Sequence, residues 1–304
     1  MKQHNAGALL IAASAAGFAT LGILIKFAFA AGASITTIMA VRFLLAALCL
    51  VIVLRWRGVP LRLGRRGVVE LTLMGAVGYG GMSMLFANGI HYLPASLAGL
   101  LLYTYPALVS LLSFLLGDER FTGRKGLALV LCLVGMVLVL NASFSGARLA
   151  GVLSILGAAG IYSCYIVIGN RLLKRIDPLV TSVYVCGTAG LAALLFGLAT
   201  GSLTLLVPPA GWLAMLGIAI FPTMVGVIGF FAGLRLVGGT NAAIISTLEP
   251  LITIILSALL LGETITPLQG FGGAILLTGV IVLQLWGKDG GPAAAMPAAG
   301  EAGR

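Results

Sequence analysis

Apolar stretches of about 20 residues recur along almost the whole chain, separated by short polar or charged breaks. A bilayer core of about 30 Å requires about 20 apolar residues in one helix. The pattern therefore predicts an all-α integral membrane protein with ten transmembrane helices. We number these stretches segments 1 to 10, near residues 7–31, 34–54, 67–90, 94–117, 123–141, 148–171, 178–200, 210–235, 240–262 and 266–287.

The composition agrees with a membrane environment. Hydrophobic residues make up 60% of the 304 residues and charged residues 9%, far below the roughly 25% charged content of soluble domains. The formal net charge of +10 could indicate nucleic-acid binding, which requires cations gathered on one soluble surface. Here the cations stand mainly in short loops between apolar segments, so we expect a lipid bilayer as partner and no nucleic acid.

The distribution of Lys and Arg also predicts an orientation. With a cytoplasmic N-terminus, 15 of the 18 cations, Lys125 among them, lie on the cytoplasmic side, and only Lys26, Arg42 and Arg148 do not. Cytoplasmic loops are the ones that carry an excess of positive charge. We therefore predict a multi-pass protein of the bacterial inner membrane with both termini in the cytoplasm.

The chain repeats itself at a fixed offset of 144 residues. The pairs Pro106/Pro250, Glu119/Glu263 and Thr122/Thr266 align without a gap, which divides the chain into a first half (1–144), a second half (145–287) and a tail (288–304) predicted to be disordered. Five segments per half is an odd number, so the second half must be inverted. The loops agree, because the loop at 55–66 carries five arginines and its partner at 201–209 carries none.

Inverted repeats of this kind are typical of alternating-access transporters, whose substrate site lies near the bilayer midplane at interrupted helices. Pro106, Pro222 and Pro250 predict such helix breaks, because each proline removes one backbone N–H and frees the carbonyl four residues earlier. A simple packing kink is the alternative for each.

Polar and aromatic residues at similar depth form the predicted substrate-binding set. An aromatic cavity with hydroxyl groups would suit a small amphipathic solute with an apolar or aromatic side chain. The alternative is that buried tyrosines only fill gaps between helices. The set comprises Phe18, Tyr79, Ser83, Tyr103, Tyr105, Tyr162, Tyr165, Thr223, Ser246 and Glu249.

Three charged residues inside apolar segments are functional candidates, because a buried charge in a membrane is costly. Glu249 could bind a substrate ammonium group, carry a coupling proton, or pair with Arg42, from which about 7 Å of helix rise separates it. Lys26 lies near a segment end and could extend its side chain outward or attract anionic groups.

Other chemistries find no support in the sequence. Cys49, Cys132, Cys164 and Cys186 form no CxxC pair and have no His nearby, so we predict no metal site. The chain has no HExxH or GxxxxGK[ST] motif, which predicts neither an enzyme nor a cofactor. A carrier of anionic metabolites, such as sugar phosphates or nucleotide sugars, is one alternative, although only Lys26 and Arg42 would serve it. A non-transport membrane scaffold is another.

Several of these residues together resemble a known family. Segment 2 contains Arg42-Phe43. Pro106 and Pro250 are each followed seven residues later by Ser and then by Gly-Asp-Glu or Gly-Glu. With these residues, the chain resembles the EamA-type branch of the drug/metabolite transporter superfamily over residues 6 to 287. The resemblance implies secondary export of amino acids and related metabolites. The tyrosine-rich middle looks most similar to aromatic amino acid exporters of the YddG type. Tyr105 is the equivalent of Glu249 in the first half, so the chain lacks the second carboxylate that a symmetric two-carboxylate mechanism would need. The sequence leaves open monomer or homodimer, coupling ion and direction of flux.

Overall fold

The computed structural model describes residues 2–93, 95–119, 122–140, 148–261 and 265–286, though not every side chain within them. The Lys26 side chain and the predicted tail at 288–304 lie outside the described part. Within it, the chain is helical and contains no strand. The helices are Lys2–Ala19 and Leu21–Ala30 in segment 1, Ile35–Trp56 in 2, Arg65–Leu73 and Met82–Tyr92 in 3, Ala95–Leu102 and Tyr105–Leu115 in 4, Gly123–Leu140 in 5, Leu149–Leu172 in 6, Pro178–Thr200 in 7, Pro209–Ile218 and Gly226–Val237 in 8, Gly239–Ser246 and Leu248–Leu261 in 9, and Pro267–Trp286 in 10.

Nine segments of the described part contain a helix that is long and apolar enough to cross a membrane. The tenth contains a shorter apolar helix, Pro267–Leu283. The sequence pattern thus located the helices correctly, and the multi-pass architecture is confirmed, while the full count of ten crossings stays a prediction.

Four segments of the two halves deviate from regular α-helix at equivalent places. Segments 3 and 8 contain π-helical stretches, Met74–Gly81 and Ala219–Val225, which match at the 144-residue offset. Segments 4 and 9 are interrupted at Tyr103–Thr104 and at Thr247, and Tyr103 and Thr247 also match at that offset. Since π-helical turns are frequent at functional sites, these irregular positions mark where a site can form.

The two halves contact each other through their own equivalent residues. Cys132 Sγ of segment 5 lies 3.7 Å from the Leu276 carbonyl of segment 10, and these two residues are 144 positions apart. Gly135 contacts Leu276, while its equivalent Gly279 contacts Cys132. Residue numbers rise along one helix as they fall along the other, so the pair is antiparallel. A local two-fold axis therefore runs across the helices at this contact.

Close helix packing also interlocks the two halves. Gly7 of segment 1 packs against Gly233 of segment 8, and the equivalent Gly151 of segment 6 packs against the region of Gly89 in segment 3. Small residues allow such close backbone approach inside a membrane. The first helix of each half thus lies against the third segment of the other half.

The loops gather at two ends of the molecule. The Tyr184 hydroxyl of segment 7 donates to the Leu61 carbonyl at 3.3 Å, which joins the arginine-rich loop to the start of segment 7. At the other end of segment 2, Thr36 donates to the Ser202 carbonyl at 2.8 Å. The 22 residues of Ile35–Trp56 rise about 33 Å, so the loops at 55–66 and 201–209 lie at opposite ends. We name the first end the basic face and the second the opposite face.

Candidate functional site

Six aromatic rings from four segments form one continuous chain between the two halves, which we call the aromatic chain. In the order Phe43, Tyr79, Tyr165, Tyr162, Tyr105 and Tyr103, successive ring centroids are 5.2, 5.5, 5.7, 4.8 and 5.9 Å apart. These spacings fall in the range of favourable aromatic pairs. All five tyrosines belong to the predicted substrate-binding set, and the structure brings these five together.

Local structure explains how these rings meet. Tyr79 projects from the π-helical stretch of segment 3, and Tyr162 and Tyr165 share one face of segment 6 because they are three residues apart. Tyr103 and Tyr105 stand on either side of the interruption in segment 4. Three kinds of helix geometry thus bring side chains from separate segments into contact with one another.

Arg42 lies at one end of the aromatic chain. Its side chain is 2% exposed, and its guanidinium carbon lies 4.2 Å from the centroid of the Phe43 ring. Nη2 donates to the Tyr79 hydroxyl at 3.4 Å, while Nε has no partner. A buried guanidinium with an unused donor is available to an anionic group.

Glu249 lies at the other end. The Tyr103 hydroxyl stands beside its carboxyl group. Among the salt bridges of the described residues, none joins Arg42 to Glu249. The structure therefore removes one of the three alternatives for Glu249, and the two charges face the aromatic chain separately.

Among the remaining members of the predicted set, Ser83 and Thr223 use their hydroxyl groups in internal hydrogen bonds. Ser83 donates to the Tyr79 carbonyl at 2.7 Å, Phe18 packs on Gly226, and Ser246 lies beside Tyr105. Thr223 is fully buried and donates to the Ile218 carbonyl at 2.8 Å. That carbonyl is the one that Pro222 was predicted to free, and the adjacent hydroxyl satisfies it.

The predicted interruptions in segments 4 and 9 are present, but they begin before the prolines. Pro106 stands in the first turn of Tyr105–Leu115, and Pro250 in the first turn of Leu248–Leu261. A proline fits the first turn of a helix because its missing N–H has no helical partner there. The two prolines therefore start new helices instead of bending continuous ones.

A cavity of about 340 Å³ lies between segments 2, 3 and 7, towards the opposite face. Its volume falls within the range of ligand pockets, about 300 to 1,000 Å³. Phe43 of the aromatic chain and Ser83 of the predicted set are among its walls. The lining residues are Ile35, Thr36, Met39, Phe43, Ala76, Gly80, Gly81, Ser83, Met84, Ala189, Ala192, Ala193 and Phe196.

The site is closed more tightly towards the basic face than towards the opposite face. Gly239–Ser246 packs against Tyr105–Leu115 near the basic face, whereas the equivalent helices Ala95–Leu102 and Leu248–Leu261 barely touch. Segment 7 packs against Gly226–Val237, whereas the equivalent pair, segment 2 and Met82–Tyr92, is separated where the cavity lies. In these two comparisons, the contact is made at the basic face and not to the same extent at the opposite face.

A buried ion pair near the basic face was not predicted from the sequence. Lys125 Nζ lies 2.8 Å from Glu119 Oε2, and the Thr240 N–H donates to Glu119 Oε1 at 3.2 Å. Lys125, counted from the sequence on the cytoplasmic side, is only 3% exposed and stands inside the first turn of Gly123–Leu140. The recurrence of glutamate at 119 and 263 was the sequence signal that could have drawn attention to Glu119.

Two further buried polar atoms were also missed. Ser113 Oγ and Asn241 Oδ1 have no hydrogen-bond partner, and both residues are almost fully buried near the Glu119–Lys125 pair. Phe231 extends the aromatic cluster, since its ring centroid lies 5.9 Å from that of Tyr165. No sequence signal separates Phe231 from ordinary packing residues.

Comparison with known proteins gives a consistent result. The model of the EamA-like transporter family matches residues 5–141 and again 149–285. An "Uncharacterized transporter" of Archaeoglobus fulgidus is 30% identical over 219 residues, covering 71% of this chain and 77% of that protein. "Uncharacterized transporter YcbK" of Bacillus subtilis is 27% identical over 303 residues, covering 92% and 94%. A solved crystal structure superposes with a TM-score of 0.81 at 20% identity, covering 92% of this chain and 97% of that one, so it shares the fold.

Proposed function

Because the chain belongs to the EamA-like transporter family, we propose that it is a secondary transporter that exports amino acids with aromatic or other hydrophobic side chains by alternating access. The observation that carries this proposal is the aromatic chain with Arg42 at one end and Glu249 at the other. The chain is a membrane transporter by family; the solute, the direction and the mechanism are the proposal.

An amino acid matches the chemistry of this arrangement. Its carboxylate can accept hydrogen bonds from a guanidinium, whose planar donors suit that group. Its ammonium can approach Glu249 or the faces of the tyrosine rings. Neither Arg42 nor Glu249 is in a salt bridge with a described residue, and a buried membrane charge in that condition points to a substrate or ion site.

Alternating access would follow from the symmetry. We propose that all ten segments cross the membrane as two inverted halves and that the basic face is cytoplasmic, because cations are retained on that side. The helices that pack together at the basic face and barely touch at the opposite face would then describe an outward-open state. Exchanging the two sets of contacts between the halves would produce the inward-open state.

A carrier of anionic metabolites is the second candidate, favoured by the unpartnered Nε of Arg42. Glu249 opposes it, because a carboxylate next to an anionic solute would be repulsive. The two candidates differ in which solutes should stabilise the purified protein. For an amino acid exporter, we expect amino acids and not sugar phosphates to raise the unfolding temperature.

Transport in proteoliposomes tests the proposal directly. We expect exchange of tryptophan, phenylalanine or leucine by the wild type, and a loss of about tenfold or more for Tyr79→Ala, Tyr103→Ala and Tyr162→Ala, because each removes a ring from the aromatic chain. Tyr184→Ala is the matched control, since its ring lies at the basic face away from that chain. Unchanged rates in all three variants, or stabilisation by sugar phosphates alone, would contradict the proposal.

A further inference from the structure

Small residues that only the first half carries form one wall of the cavity between segments 2, 3 and 7. In segment 3 this wall consists of residues with little or no side chain, and at the 144-residue offset the second half carries larger ones. The pairs are Ala76 and Ile220, Gly80 and Met224, Gly81 and Val225, and Ser83 and Val227. The difference in side-chain size indicates that the sequence itself maintains this space.

The geometry of the two glycines agrees. A Cβ atom added at Gly81 would have no heavy atom within 4 Å, and one added at Gly80 would meet only the Gly75 carbonyl, at 3.4 Å. The cavity is partly open, since the lining residues Ile35, Met84 and Phe196 are 39%, 40% and 45% exposed, and close-packed helices leave few such spaces. A chain that keeps glycine where larger residues would fit without a clash retains the cavity for an occupant.

We propose that this cavity receives the apolar side chain of the transported solute, and that Gly81 and Ala76 set the largest side chain that fits. The pocket rests on the proposed function, because it assumes that an amino acid binds at the aromatic chain. Phe43 connects the two places, since its ring lines the cavity and lies 4.2 Å from the Arg42 guanidinium carbon. A solute held by Arg42 would thus have the cavity next to it.

The lining selects apolar rings over polar groups. Met39, Met84 and Phe196 offer polarizable or aromatic surface, which suits a planar ring. The two wall hydroxyls are occupied, since Thr36 donates to the Ser202 carbonyl and Ser83 to the Tyr79 carbonyl. We therefore expect indole, phenyl and branched aliphatic side chains to be accepted, and amide or charged side chains to be rejected because their polar atoms would stay unpaired.

Filling the pocket with the residues of the other half provides the test. Gly81→Val and Ala76→Ile are each purified as the full chain and assayed in proteoliposomes for exchange of tryptophan, leucine and alanine. We expect tryptophan exchange to fall about tenfold or more, leucine exchange to fall less, and alanine exchange to stay within about twofold. Gly22→Val is the matched control, because a Cβ at that exposed helical glycine also has no atom within 4 Å.

The outcomes separate the pocket from the function on which it rests. Equal losses for all three amino acids, or no change for tryptophan in both variants, would overturn the pocket while leaving amino acid transport intact. Loss of co-purified phospholipid with an unchanged tryptophan-to-alanine ratio would identify a lipid crevice and overturn it as well. If the wild type exchanges none of the three amino acids, the proposed function itself fails. Unfolding temperatures of the variants show that they are folded.

Discussion

Two equivalent contact regions of the molecule differ although their sequences are related by the repeat. Gly239–Ser246 packs on Tyr105–Leu115 at the basic face, while Ala95–Leu102 and Leu248–Leu261 barely touch at the opposite face. Because the same interlocked scaffold supports both regions, the difference lies in how the helices pack, and under the proposed alternating access the two halves would exchange it. The cavity wall differs in another way, since its small residues are fixed in the sequence of one half. The molecule thus combines an asymmetry of packing, which the proposed alternating access would exchange between the two faces, with an asymmetry that is fixed in the sequence.

Cross-linking the packed region should have the largest effect. Val109 Cγ1 lies 3.6 Å from a Cβ placed on Gly239, so Val109→Cys with Gly239→Cys, in a background with the four native cysteines replaced by serine, should form a disulfide. If the basic face must open in each cycle, oxidation should block transport almost completely and a reductant should restore it. The measurement is exchange in proteoliposomes before and after reduction, with each single cysteine variant as control.

The equivalent cysteine pair sharpens the same comparison. At the 144-residue offset it is Ala95→Cys with Thr253→Cys, which should cross-link slowly at rest and faster when substrate drives the exchange. Equally fast cross-linking of both pairs without substrate would show that the two contacts are not alternatives.

Breaking the buried ion pair at the packed region should have the next largest effect. Lys125→Met leaves Glu119 buried beside Thr240 without its cation, which should cost about 3–5 kcal/mol of stability. The double variant Glu119→Gln with Lys125→Met should recover much of this loss, because it removes both charges. Thermal unfolding of the purified protein measures both.

An exposed pair is the control for that prediction. Arg66 is 84% exposed in its pair with Glu70, so Arg66→Ala should cost less than about 1 kcal/mol. If Lys125→Met is as mild as Arg66→Ala, the Glu119–Lys125 contact does not hold the basic face closed.

The helices were predictable because the bilayer imposes one physical rule on their length and composition. Segment 2 was predicted at 34–54 and is Ile35–Trp56, and segment 7 was predicted at 178–200 and is Pro178–Thr200. Pro106, Pro222 and Pro250 stand in or directly after the irregular stretches of segments 4, 8 and 9. The rule concerns burial in lipid and not contacts between helices, so it cannot reveal which side chains meet.

The site was predictable as a set of residues but not as an arrangement. Tyrosines at one depth could be recognised, yet the stacking of Tyr79 on Tyr165 depends on a π-helical stretch that hydropathy does not encode. The burial of Lys125 depends on one turn of helix geometry. The cavity becomes visible in the sequence only when Gly81 is compared with Val225, and that comparison has meaning only after the structure has shown an empty space at one of them.

The smallest expected effect concerns Tyr79 and Thr223, which are equivalent positions of the two π-helical stretches. Thr223 satisfies the carbonyl of Ile218, so Thr223→Val should lower stability by about 0.6 kcal/mol, the average for such bonds in membranes, with little change in transport. The Tyr79 hydroxyl instead accepts from Arg42. Tyr79→Phe should therefore slow transport by releasing the guanidinium, and it should lower stability more than Thr223→Val does, because the buried guanidinium loses a hydrogen-bond partner. Thermal unfolding and exchange rates of both variants, with Thr223→Ser as a control that keeps the hydroxyl, measure the two effects. Equal losses of transport in Thr223→Val and Tyr79→Phe would mean that the π-helical geometry itself, shared by both halves, governs transport more than the contact with Arg42.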